Sequence, residues 1–179
     1  VGLWLMQPPS VPESVADGEF SAERAFPLLE QIAAEPHPTG SDANQVVRDR
    51  LLASLGALSL SPEVRTESVL RPLGSGFIGA RAENILARIP GTDSTGTVLL
   101  AAHYDSVPTS PGAGDDAAAV AAMVEVARHL IEQPVRNDVL LLLTDAEELG
   151  LLGARAFAQD DELLGEIGAV LNFEARGGG

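Results

Sequence analysis

The sequence predicts an α/β fold in which helices cover a central, largely parallel sheet, and three observations lead there. Hydrophobic residues make up 45% of the 179 but aromatic ones only 4%. The core must therefore be built from Leu, Val, Ala and Ile, a composition that suits helices packed on a parallel-type sheet. The apolar runs Val98 to Ala102, Val139 to Leu143 and Ala169 to Phe173 read as buried strands separated by helical patterns. Strand, helix, strand, helix, strand is the order of parallel strands joined by right-handed crossovers. Metal-binding residue types, in His103-Tyr104-Asp105 and Asp145-Ala146-Glu147-Glu148, stand directly after the first two runs. Ligands of open α/β sheets gather at the carboxyl ends of strands.

Taken in order, the chain opens on Val1-Gly2-Leu3-Trp4-Leu5-Met6, too short an apolar run to cross a bilayer and read as the tail of an upstream signal or anchor. Gln7 to Gly18, rich in Pro, Ser and acid, reads as a linker, so residues 1–20 are assigned to an arm and 21–179 to one domain. Ser21 is expected to cap a helix over roughly 22–35, with Phe26, Leu29, Ile32 and Ala33 on its apolar face, until Pro36-His37-Pro38-Thr39-Gly40 breaks it. Ser41 caps a second helix to about Leu55, with Val46, Val47, Leu51 and Leu55 inward and Gly56 as the stop. Leu58 to Glu67 reads as an edge strand and Leu70 to Gly79 as irregular. Glu83 to Ile89 alternates like a strand, and Gly91 to Gly96 is expected to turn it back as a hairpin onto the strand ending at Ala102. Asp115-Asp116 precede a helix over Ala117 to Gln133, whose Val120, Met123, Val124, Ala127 and Leu130 share a face and which Pro134 ends. A further helix from Leu149 to Ala158 leads to the last strand, with Glu174 at its end.

Charge and composition exclude several functions. The formal charge of −15 repels phosphate backbones, so no nucleic-acid partner is expected, and it favours cations. The absence of Cys rules out thiolate zinc sites, disulfides and a cysteine nucleophile. Any metal must be held by His, Asp and Glu.

His103 can serve as a neutral imidazole ligand, and Asp105, two residues on, projects from the same side of extended backbone, where it can orient the ring. The plain alternative is a surface turn. Asp115 and Asp116 could be a simple N-cap. The Pro111-Gly112-Ala113-Gly114 approach lets their loop fold over a strand end instead, where a carboxylate can bridge two cations. Glu147 and Glu148 could be solvated acids of a helix's first turn, or could divide metal binding and proton transfer between them.

The ordered set Pro36-His37-Pro38-Thr39-Gly40-Ser41, His103-Tyr104-Asp105-Ser106, Pro111-Gly112-Ala113-Gly114-Asp115-Asp116, Glu147-Glu148-Leu149-Gly150 and Asn172-Phe173-Glu174-Ala175-Arg176-Gly177 resembles the amino-terminal part of a family M28 zinc peptidase. It is most similar to the membrane-anchored branch that includes the endoplasmic reticulum metallopeptidase and the vacuolar membrane proteases. The resemblance covers about Ser21 to Gly179. It implies an α/β/α sandwich around a mixed, largely parallel sheet, two zinc ions, and exopeptidase action on peptides, most simply as an aminopeptidase, by a metal-bridging hydroxide. Residue by residue, His103 and Glu174 would bind one zinc, Asp115 would bridge both, and Glu148 would bind the second. Glu147 would be the general base, and Asp105 would orient His103. Placing the bridge at Asp115 rests on its ten-residue spacing to Glu125; a slip of one residue would put Asp116 there, a residue otherwise assigned to shaping the turn.

Two departures accompany the resemblance. Glu174 stands where many relatives have Asp, which lengthens the arm by one methylene. The family's last ligand, a His, falls beyond a position equivalent to Gly179, and His37 and His129 are assigned structural roles instead. The chain by itself is therefore expected to hold zinc partially or not at all, to be weakly active or inactive, and to expose a sheet edge through which it could self-associate. Membrane attachment is expected only through segments outside this chain, in an extracytoplasmic, anchored parent. The rival readings are a glutaminyl cyclase-like, single-zinc acyltransferase and a receptor-like domain that kept the fold without catalysis.

Overall fold

The computed structural model describes residues 18–175. The expected anchor tail and most of the arm, and the terminal Arg176 to Gly179, lie outside them. The first two helices are α1, Ala22–Ile32, and α2, Asp42–Ala57. Both begin at their anticipated caps: Ser21 Oγ accepts the amide of Arg24 at 3.2 Å and Ser41 Oγ that of Asn44 at 3.1 Å. Helix α1 ends three residues earlier than expected, α2 runs through Gly56, and Phe26 and Val46 face solvent rather than the core. Their spacing was compatible with either side of a broad stripe, and only the neighbouring sheet selects Val47, Leu51 and Leu55.

Among the described residues five strands form one mixed sheet: β1, Glu63–Leu73; β2, Gly76–Ile89; β3, Thr97–His103; β4, Val139–Thr144; and β5, Ile167–Asn172. Their order is β1-β2-β4-β3-β5, with β3 parallel to both β4 and β5 and β2 antiparallel to β1 and β4. The expected hairpin between β2 and β3 is therefore incorrect, because β4 lies between them. Residues 91–93 attach instead to the segment before β4: Thr92 donates to the Val135 carbonyl, Asp93 to that of Arg136, and the Gly91 amide to Asp138. The hairpin that does form joins β1 and β2 through Gly74, at φ +59°, and Ser75, so the stretch Leu70 to Gly79 is paired strand rather than irregular.

The strands alternate between two cores. Ile85, Ala87, Leu100, Ala102, Leu141 and Leu143 meet α1, α2 and the helix α3, Ala118–Glu132, on one face. Leu86, Leu99, Ala101, Leu140 and Leu142 meet Phe157 on the other. Phe157 ends α4, Leu152–Phe157, a shorter form of the helix expected from Leu149 to Ala158, and α5, Asp161–Glu166, lies beyond it where no helix was expected. The shortening has a local cause. Ala146 at φ +57°, Gly150 at +96° and Leu151 at +62° wind the chain through tight turns before a helix can start. No described helix is long and apolar enough to cross a membrane.

Candidate metal centre

The parallel register of β4, β3 and β5 brings three strand ends together. His103 closes β3 opposite Thr144, and Asn172 of β5 lies opposite Ala101, so Asp145 to Glu148 and Glu174 leave the sheet on either side of His103. The imidazole is buried. Its Nδ1–H donates to the Asp105 carbonyl at 3.0 Å, which turns Nε2 outward, 2.9 Å from Asp115 Oδ1 and 3.8 Å from Glu174 Oε1. The Asp105 carboxylate stands 3.4 Å from Nδ1, so the ring is oriented mainly by the backbone carbonyl of that residue and less by the side chain anticipated for the task.

Asp105 does something the sequence did not announce. Its buried carboxylate accepts the amide of Glu147 at 3.0 Å through Oδ1 and that of Glu148 at 3.2 Å through Oδ2. It thereby ties the end of β3 to the turn after β4. That turn is closed on its other side by Gly150 and Leu151, whose amides donate to the Glu147 carbonyl at 2.7 and 2.8 Å.

Asp115 reaches the cluster because its loop folds back at Gly112. There φ is +67°, and a Cβ would stand 2.6 Å from the Asp115 carbonyl, so only glycine is accommodated. Asp115 and Asp116 are joined by a cis peptide, and neither has helical dihedrals. They do not cap α3, which begins without a side-chain cap bond. Asp115 is the half-exposed member that meets His103. Asp116 is buried with Oδ2 unpartnered among the described residues, and burial pushes its carboxyl up to about 7.

Ligand atoms of His103, Asp115 and Glu148 lie within 4.8 Å of one another, the one such group among the described residues. Glu174 stands beside it, half-exposed, and its Oε1 also accepts the Ala175 amide at 3.0 Å. Burial disfavours charge on His103, but Asp105 and Asp115 prevail and push its imidazole up to about 10. Burial raises the carboxyls of Glu147 and Glu148, with His103 opposing and the neighbouring acids adding to the rise. Asp105, Asp115, Glu147, Glu148 and Glu174 around one imidazole form a site that a cation would neutralise. The donors are of the kinds zinc takes: one imidazole nitrogen aimed inward by its other N–H, with carboxylate oxygens of Asp115 and Glu148 gathered within 4.8 Å of it and of each other.

The remaining histidines lie outside this group. His37 is buried, with its Nδ1–H on the Glu35 carbonyl at 2.8 Å, and His129 Nδ1 meets the Gly18 carbonyl. Two residues near the centre were not singled out from the sequence. Asp145 is buried beside Asp105, and Thr39 reaches both. Asp145 stood within the acid run after β4, and its place directly at the strand end was the available signal.

The profile of peptidase family M28 matches residues 84–179. Vacuolar membrane protease of Candida albicans is 35% identical over 153 residues, spanning 84% of this chain and 18% of its own length. Endoplasmic reticulum metallopeptidase 1 of Mus musculus is 33% identical over 179 residues, spanning 90% and 20%. The chain thus spans about a fifth of the length of the curated relatives it matches. Among solved structures, a zinc aminopeptidase from Bacillus subtilis superposes with a TM-score of 0.74 at 16% identity, over 89% of this chain and 70% of that one. Glutaminyl cyclase of Porphyromonas gingivalis gives 0.75 at 24%, over 89% and 60%. These two share the fold; the profile and the sequence relatives go further, and the chain belongs to peptidase family M28.

Proposed function

We propose that the convergent strand ends form the zinc centre of an exopeptidase that removes residues from the amino end of peptides. The observation that carries this is the meeting of His103, Asp115 and Glu148 within 4.8 Å at the carboxyl ends of parallel strands, with Glu147 beside them. His103 and Glu174 would hold one zinc, Glu148 a second, and Asp115 both. Bound zinc would polarise a scissile carbonyl and make water more acidic. Glu147 is the general base: half-buried and with its carboxyl raised, it is suited to take a proton and return it to the leaving amine. Asp105 holds the amides of Glu147 and Glu148 and so fixes base and ligand relative to His103. The acidic surroundings and the charge of −15 favour a protonated amino terminus as the approaching group. The relatives' names support a parent held at a membrane by segments outside this chain; this domain is proposed to lie away from the cytoplasm.

The glutaminyl cyclase likeness favours a second reading, cyclisation of amino-terminal Gln at one zinc. Elemental analysis of the full-length protein after dialysis against zinc tests the first. Bound zinc that is lost in His103→Ala and kept in Glu147→Gln supports it, and no zinc in that wild type overturns it. In any preparation that cleaves an aminoacyl substrate, Glu147→Gln should lower kcat by about 10²- to 10⁴-fold. Pyroglutamate release with one zinc per chain would transfer the assignment to the cyclase reading.

A further inference from the structure

The Pro36-His37-Pro38-Thr39-Gly40-Ser41 segment between α1 and α2 has no part in the reading above, yet it is anchored to the centre from several sides. The His37 amide donates to Ser106 Oγ at 2.8 Å. Buried Asn44, in the first turn of α2, donates through Nδ2 to the His37 carbonyl and to Asp145 Oδ1, both at 3.3 Å. So held, the loop sets Thr39 Oγ1 between two buried carboxylates, 3.2 Å from Asp105 Oδ2 and 3.1 Å from Asp145 Oδ1.

Asp105 and Asp145 are each 1% exposed, and like charges so placed repel. Asp145 has other donors: the amides of Ala146 at 2.9 Å and Glu83 at 3.1 Å, besides Asn44. A hydroxyl carries one proton, so Thr39 shares a single donor between the two oxygens that face it. That shared proton offsets part of the repulsion between the two carboxylates that face Thr39.

We propose that Thr39 is a positioning residue: its hydroxyl holds the Asp105 carboxylate in the orientation that receives the amides of Glu147 and Glu148. The consequence for metal binding rests on the assignment of Glu147 and Glu148 above; the clamp itself does not. Thr39→Val removes the hydroxyl at nearly constant shape, and Thr39→Ser keeps it.

Amide hydrogen exchange followed by NMR, with zinc withheld, reads the clamp directly. In Thr39→Val the Glu147 and Glu148 amides should exchange about tenfold faster while the Leu141 amide, in the middle of β4, keeps its wild-type rate, and Thr39→Ser should restore protection. Unchanged exchange at Glu147 and Glu148, or an equal rise along β4, would overturn the proposal. If Thr39→Val does not fold, Thr39→Ala is read by the same criterion. In the full-length protein, zinc affinity measured by chelator competition should fall about tenfold in Thr39→Val. A full-length wild type without zinc affinity would count against the metal centre, and the exchange result would still decide the clamp.

Discussion

Replacing Asp105 by Asn perturbs the link between β3 and the Glu147–Glu148 turn while preserving side-chain shape. The two carboxylate oxygens face four donors: the Glu147 amide at 3.0 Å and His103 Nδ1 at 3.4 Å on Oδ1, and the Glu148 amide and the Thr39 hydroxyl, both at 3.2 Å, on Oδ2. Asn keeps one oxygen and turns an NH2 toward the other pair, so one charge-assisted bond, about 1.5–3 kcal/mol, is lost and the retained one is weakened. Relief of repulsion with Asp145, whose carboxyl is raised by burial and by the Asp105 charge, returns part of this. The net is about 2 kcal/mol, or roughly 30-fold in an equilibrium constant. If the turn stays in place, the cost appears as a Tm lower by about 4–8 °C. If the turn relaxes, it appears as zinc affinity weaker by about 10- to 100-fold. Scanning calorimetry with chelator present and zinc competition in parallel measure both. Wild-type values in both would refute the reasoning that Asp105 carries the turn.

Gly153 lies against the strand end. A Cβ there would come 2.5 Å from Asn84 Oδ1 and closer still to the Asp145 carbonyl, so Gly153→Ala should destabilise by about 3 kcal/mol in urea unfolding, and an unchanged midpoint would show that α4 does not press there. Buried Glu125 accepts the Ser21 amide at 3.0 Å, Arg24 Nε at 3.0 Å and Arg128 at 2.8 Å; burial acts to raise its carboxyl, but Arg128, the Ser21 amide and Arg24 together bring it below the usual 4.5. A lowered folded pKa stabilises above the unfolded value and is lost as pH falls through the folded one. Glu125→Gln should thus cost about 1–2 kcal/mol near neutrality, discounted because Arg24 is partly exposed, and should flatten the acid limb of stability against pH. Profiles that run parallel down to strong acid would contradict the role given to Glu125.

Much of the centre was legible because its signals are local. A run of apolar residues ending in His103 or in Glu147-Glu148 announces a strand end bearing acids, and the caps Ser21 and Ser41 act on amides three residues away. The apolar runs of β3 and β4 are likewise written in sequence. Placement of neighbours is not local: β3 and β4 are apolar on both faces and β2 alternates, patterns compatible with more than one pairing, and residues 91–93 attach to residues 135–138 beside the ladder that inserts β4 between β2 and β3. Asp115 and Asp116 are the same residue type side by side. The fold-back at Gly112 is what sends one to His103 and buries the other. The sequence alone thus determined the strands β3, β4 and β5, the caps and the chemical types gathered at the strand ends. Tertiary structure alone decided the strand order, which aspartate faces His103, and the clamp from Thr39 through Asp105 to Glu147 and Glu148, because hydrogen bonds between residues 42 to 66 positions apart leave no periodic trace in the chain.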